Sequence, residues 1–198
     1  MKKILTILLA AIMVLSFAGC GTETEVPAEE ITEPMEEIVP EEVFYSLGDT
    51  VKTESIEFTL DEFDFHKCLS NVGDADYMNP LEEGDTWYNS KNPYYADDEH
   101  IMVRISFTYK NIGKTSIETL PDYIFCLEYS DGYTFDEFGV QTKNADGDYS
   151  FIWDIEPLSD ALNGRGAVKV PIVVMENTEE PIVLIIKLGG QEFKYKIR

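Results

Sequence analysis

The chain has 198 residues, 38 of them acidic and 15 basic, for a formal net charge of −23. Such an excess of carboxylates argues against nucleic acid or an anionic lipid surface as a direct partner, because both need Lys and Arg to neutralise phosphates. At 44% hydrophobic and 12% aromatic residues, there is too much core material for a wholly disordered chain, and the length suits one domain plus something extra.

Met1-Lys2-Lys3 is a short basic start, followed by an uncharged apolar run from Ile4 to Ala18. That run is short for a transmembrane helix, which needs about 20 apolar residues, and it has the size of a secretory signal. It ends in Phe17-Ala18-Gly19-Cys20, which resembles the lipobox of bacterial lipoproteins, with Phe17 where Leu is usual. The resemblance implies cleavage after residue 19 and a diacylglycerol, palmitate-type anchor on Cys20, holding the protein to the extracytoplasmic face of the bacterial cell membrane. Several acyl chains, at about 0.8 kcal/mol per buried CH₂, suffice for this without a spanning helix. The competing readings are an ordinary secreted protein with an incidental Cys20 and an uncleaved anchor. Without residues 1–19 the chain keeps 13 basic and 38 acidic residues, a formal charge of −25.

Residues 21–43 hold nine Glu, three Pro, no basic residue and no aromatic. Self-repulsion, with Pro27, Pro34 and Pro40 interrupting any helix, makes residues 20–43 a lipidated Cys and a disordered acidic tether. In polyproline-like form, at about 3.1 Å per residue, it would reach ~70 Å. Its expected role is to hold a domain clear of the membrane.

Residues 44–198 read as strand after strand, with 13 basic and 29 acidic residues. Ile56, Phe58 and Leu60 change phase to Phe63 and Phe65, which predicts a bulge near Asp61-Glu62. Ile101, Val103, Ile105, Phe107 and Tyr109 alternate with Met102, Arg104, Ser106, Thr108 and Lys110, a period of two. Tyr123, Phe125, Leu127 and Tyr129 lead into Asp131-Gly132, a hairpin signal. Val168 to Met175 and Ile182 to Leu188 are nearly continuous apolar runs. Gly189-Gly190 then permits a primed turn into Phe193, Tyr195 and Ile197. No window has a useful helical period. The expectation is an all-β sandwich or barrel.

Several of these stretches resemble a known family. Gly48-Asp49-Thr50-Val51 with Ile56 to Leu60 resembles its opening pair of strands. Ile101 to Gly113 is similar to its hallmark strand, ending in Asn111-Ile112-Gly113. Phe125-Cys126-Leu127 with Asp131-Gly132-Tyr133 resembles its next hairpin, and Asn163-Gly164-Arg165-Gly166 stands where it has a glycine turn before a long strand. The family is the telokin-like, immunoglobulin-sandwich domain of bacterial cell-surface lipoproteins, a domain of unknown function. The resemblance implies an immunoglobulin-like β-sandwich of about seven to nine strands, outside the membrane, for binding, with no catalytic residues to transfer.

The long insertion at 66–99, between the second and third strands, holds Tyr77, Trp87, Tyr88, Tyr94 and Tyr95. Loops of this length are functional or disordered, and this one is too aromatic for disorder. Its rings would stack on a glycan or anchor an envelope protein, or else fold back to cap the sandwich.

Asp74 and Asp76, Asp97-Asp98-Glu99, and Asn144, Asp146 and Asp148 supply hard oxygens in short loops. The first two groups together are the better candidate calcium site, although no EF-hand spacing is present and turn chemistry explains all three. Cys68 and Cys126 remain after Cys20, and an extracytoplasmic location permits a disulfide that spacing alone does not establish. If Phe125 and Leu127 point inward, Cys126 points outward. His66 and His100 bracket the insertion and would meet at its base, but no His-x-x-x-His, Gly-x-Ser-x-Gly or phosphate-cradling loop accompanies them. The reading is therefore a non-catalytic, membrane-anchored binding or envelope-associated module with no resident cofactor. The alternatives are a calcium- or other cation-binding sensor or carrier and, less favoured, a cell-wall hydrolase.

Overall fold

The protein divides into two units, Met1–Pro40 and Glu41–Arg198. A computed structural model describes residues 42–71, 77–117, 124–143, 149–150 and 155–198, all in the second unit. The signal segment, Cys20 and nearly all of the tether lie outside the described residues, as do Tyr123 and the candidate ligands Asp74, Asp76, Asn144, Asp146 and Asp148.

The domain is a β-sandwich. Among the described residues eleven strands form two sheets: β1 (Phe44–Tyr45), β2 (Thr50–Lys52), β3 (Ile56–His66), β4 (His100–Asn111), β5 (Phe125–Tyr129), β6 (Tyr133–Phe135), β7 (Gly139–Lys143), β8 (Tyr149–Ser150), β9 (Leu162–Pro171), β10 (Ile182–Leu188) and β11 (Gln191–Lys196). The five-stranded sheet runs β1-β11-β10-β5-β6 and the six-stranded sheet β2-β3-β4-β9-β7-β8. The count exceeds the expected seven to nine because β1 and β8 are two-residue edge pieces, too short to leave a periodic signal. Through β1, the insertion falls between the third and fourth strands.

The phase change in β3 is a bulge: Leu60 pairs with Phe107 and Glu62 with Ser106, leaving Asp61 as the extra residue. The slip keeps Phe63 and Phe65 on the core side after Ile56, Phe58 and Leu60. The β10–β11 hairpin closes through Gly189 and Gly190 at φ 56° and 78°, the left-handed pair of a primed turn. The β5–β6 hairpin turns through Ser130–Gly132 as expected.

Two expectations need correction. Asn163-Gly164-Arg165-Gly166 is not a turn; it lies inside β9, with Gly164 opposite Phe107 and Gly166 opposite Ile105. These glycines leave room for large side chains across the strand. The run from Val168 to Met175 is not one strand either. Extended backbone ends at Pro171, Ile172 turns to φ −60°, ψ −26°, and Val173–Glu176 forms a four-residue helix.

Between the sheets, Phe58 and Phe107 stack at 5.2 Å, Phe107 meets Phe125 at 5.2 Å, and Phe125 meets Phe138 at 5.7 Å. Aliphatic residues of both sheets pack around this column, among them Leu60, Ile105, Leu127, Leu184 and Ile186. All four rings are buried, and their stacked and tilted contacts add to what area burial supplies. At the end of β4, the fully buried Asn111 ties the chain down. Its Nδ2 donates to the carbonyls of Thr115 (2.9 Å) and Ile155 (2.8 Å), and its Oδ1 accepts from Gly113 N–H at 2.9 Å. This accounts physically for an Asn-x-Gly at a strand end: the amide replaces the ladder where the backbone turns away.

Candidate functional site

The outward face of β4 does not face water along its whole length. Met102 and Arg104, on the polar side of the alternation, are 2% and 8% exposed. The insertion lies over them, and a second small core forms there from Leu69, Met78, Ala96, Met102 and Ala167 with Tyr77 and Tyr94 packed against it. It extends across β9 to β7, where the Tyr94 hydroxyl stands 3.2 Å from the position a Cβ would take on Gly139.

Two arginines of the sheet meet the insertion and its base. Arg104 holds the Asp64 carboxylate through Nε (3.1 Å) and Nη2 (2.7 Å), and Nη2 also reaches Glu62 at 2.8 Å. Such a buried guanidinium requires paired carboxylates. Burial alone would raise Asp64, but the neighbouring His66 and the hydrogen bonds from Arg104 outweigh it and hold the carboxyl below its ordinary range. Arg165 donates to the Tyr77 carbonyl and to Asn79 Oδ1 (2.8 Å), while its guanidinium lies 4.6 Å from the centre of the Tyr149 ring.

Inside the insertion a buried amide does the work of a missing ladder. Asn92 is 4% exposed. Its Nδ2 donates to the carbonyls of Leu69 (2.8 Å) and Trp87 (3.1 Å) and lies 3.3 Å from Cys68 Sγ, and its Oδ1 accepts from Tyr94 N–H at 2.9 Å. The Trp87 carbonyl also accepts from Asn89 N–H at 3.0 Å. Sequence reasoning missed Asn92 and Arg165, because a single Asn in a polar loop and a lone Arg between glycines carry no periodic signal.

The five aromatics do not form one patch. Tyr77 and Tyr94 meet edge to face at 5.8 Å, share a 2.7 Å hydroxyl contact and belong to the small core. Burial and the neighbouring Tyr94 push the Tyr77 phenol well above its usual range. Tyr88 and Tyr95 form a separate edge-to-face pair at 5.6 Å, with the Lys67 ammonium over the Tyr95 ring at 5.5 Å. Trp87 alone stands out, 46% exposed. It borders an open groove of about 430 Å³ that is also lined by Ser70, Asn79, Leu81, Asp85 and Thr86. The rim is a tight turn: Asp85 Oδ2 accepts from Glu82 N–H at 2.8 Å, and Asp85 N–H donates to the Glu82 carbonyl at 3.1 Å.

Of the metal candidates, Asp97, Asp98 and Glu99 lie in the described part of the chain. Among the described residues no three His, Cys, Asp or Glu side chains converge as a cation site needs. Asp97 Oδ1 is taken up by the His100 ring (2.6 Å) and Glu99 N–H (3.0 Å), and Asp98 faces Lys67 at 3.5 Å. The bond to His100 holds the Asp97 carboxyl below its ordinary range. His66 and His100 lie on one face near the base of the insertion, yet each engages its own aspartate. His66 Nε2 lies 2.9 Å from Asp64 Oδ1, without the angle of a hydrogen bond.

Cys68 and Cys126, whose pairing the sequence left open, are both unbridged. Cys68 is buried inside the insertion beside Asn92. Cys126 is half-buried on the side of β5 opposite Phe125 and Leu127, as the alternation requires. Burial pushes both thiols up, and Asp136 adds to this at Cys126.

No protein-family model matches the chain, and no curated protein matches it. Among solved structures it is similar to an uncharacterized beta-sandwich protein from Clostridium difficile 630, at 18% identity and a TM-score of 0.51, over 79% of this chain and 97% of that one. A conserved hypothetical protein from Bacillus anthracis aligns at 8% identity and a TM-score of 0.49, over 78% and 95% of the two chains. The first similarity shows the fold alone: a β-sandwich.

Proposed function

We propose that this protein is a non-catalytic binding module, of the telokin-like immunoglobulin-sandwich type, held at the extracytoplasmic face of the bacterial membrane by a lipid on Cys20. The observation that carries the binding reading is Trp87. The loop around it buries its own small core and pins its backbone through Asn92, yet the indole stays turned toward water beside a polar groove. An exposed indole on a pinned backbone is an anchor of the kind that dominates binding energetics, and a backbone ordered in advance lowers the ordering cost of association. The anchoring half rests on the basic start, the apolar run and Phe17-Ala18-Gly19-Cys20.

Trp87→Ala, retained or lost on isolated envelope material, tests the groove. The expected result is an unchanged melting temperature with loss of retention; a collapse in stability would make Trp87 a capping residue instead. Cys20→Ala tests the anchor by moving the protein from the membrane fraction to the soluble one.

A further inference from the structure

Taking the groove beside Trp87 as the binding site of the preceding reading, we infer that its ligand is a neutral saccharide ring. The lining decides among ligand classes. Trp87 lines the groove together with a carboxylate residue (Asp85), an amide residue (Asn79) and two hydroxyl residues (Ser70, Thr86), with Pro80 and Leu81 completing the wall. Among the described residues that line the groove none is basic, and the domain around it carries 13 basic against 29 acidic residues. Arg165, bonded to Asn79 Oδ1 (2.8 Å) and to the Tyr77 carbonyl, is not among the lining residues, so a phosphate, a uronate or a nucleotide would meet the domain's net negative charge without a basic side chain in the groove wall.

A compact cation fits the field but not the walls. Ammonium cages surround the charge with several aromatic faces, and here one ring faces the groove while Tyr77, Tyr94, Tyr88 and Tyr95 are committed to two pairs of their own. A peptide docking by its side chains wants a cluster of apolar pockets, whereas Trp87 has only Leu81 and Pro80 beside it. A sugar ring meets all three features. Its C–H face carries partial positive charge and lies on the negative face of the indole. Its equatorial hydroxyls both donate and accept, which suits a carboxylate, an amide and hydroxyls arranged around one platform. The Trp87 carbonyl, held by Asn92 and Asn89, keeps the platform in place before the ligand arrives.

The test is calorimetric titration of the full chain with four probes: cellotetraose, an N-acetylglucosamine tetramer, a short oligolysine and inorganic phosphate. At least one neutral oligosaccharide is expected to saturate, with binding unchanged up to about 0.5 M salt because no ion pair is made. Trp87→Ala should weaken it at least about tenfold and Trp87→Phe should restore most of it, since an aromatic face is the anchor. Both variants should melt with the parent. Binding of oligolysine or phosphate alone, or of no probe in a Trp87-dependent manner, overturns the saccharide assignment while envelope retention that depends on Trp87 keeps the groove standing. Retention that is indifferent to Trp87→Ala removes the groove reading itself.

Discussion

The Phe107 ring lies directly over Gly164 on the neighbouring strand: a Cβ built on Gly164 would stand 2.2 Å from both Cε2 and Cζ of that ring. The two residues are cross-strand partners, and the absent side chain is what lets Phe107 sit flat in the column between Phe58 and Phe125. Gly164 is required here by steric room, since it lies in an ordinary extended strand.

Gly164→Ala should therefore destabilise the domain by about 1–3 kcal/mol through overpacking, read as a lowered midpoint in chemical denaturation. The penalty should shrink in a Phe107→Leu background, where the ring is gone. Equal penalties in both backgrounds would place the cause elsewhere than the ring.

Asn92→Ala leaves the carbonyls of Leu69 and Trp87 and the N–H of Tyr94 without their amide partner inside a buried site. The Trp87 carbonyl keeps its bond from Asn89 N–H, while the Leu69 carbonyl and the Tyr94 N–H each lose their amide partner at a cost on the order of 1–3 kcal/mol. Amide hydrogen exchange should accelerate within the insertion at residues 67–99 while β10 and β11, in the other sheet, keep their protection. Uniform acceleration across the whole domain would contradict a local role for this pin.

The Asp64 carboxyl is held below its ordinary value by His66 and Arg104, against the opposing effect of burial. Its folded pKa lies below its unfolded one, so the stabilisation is complete above about pH 4–5 and fades as the pH falls through the lower, folded value. Asp64→Asn should be less stable than the parent at neutral pH, and its stability should fall less steeply on acidification. Parallel pH–stability curves for parent and variant would rule out this linkage.

Both remaining thiols are unbridged, and burial makes each a poorer thiolate. A Cys20→Ala chain should give two free thiols when unfolded without reductant, and slow labelling by a thiol reagent when native, with half-buried Cys126 reacting ahead of buried Cys68. Fewer than two thiols in the unfolded protein would mean that they pair.

Much of the sandwich was legible because strand signals are local. The alternation from Ile101 to Tyr109 marks β4, the phase slip around Asp61 marks the bulge, and Gly189-Gly190 marks the last turn, each within a few residues. The errors came where a local cue had a distant cause. Gly164 and Gly166 look like turn residues until Phe107 and Ile105 are seen across the ladder. The candidate site was legible only in outline. The insertion and its aromatics were plain, but which ring faces water was not.

Composition and pattern by themselves determined a short basic start, an apolar run leading to Cys20, an acidic proline-bearing segment and an all-β domain, because charge, apolar run length and period-two alternation are properties of neighbouring residues. Only the tertiary structure decided that the polar side of β4 is roofed at Met102 and Arg104, that four tyrosines close on one another, and that Trp87 is left outside. Those outcomes depend on Arg104, Ala167, Gly139 and Asn92 meeting across strands and loops far apart in the chain, and burial is settled by such encounters, not by sequence order.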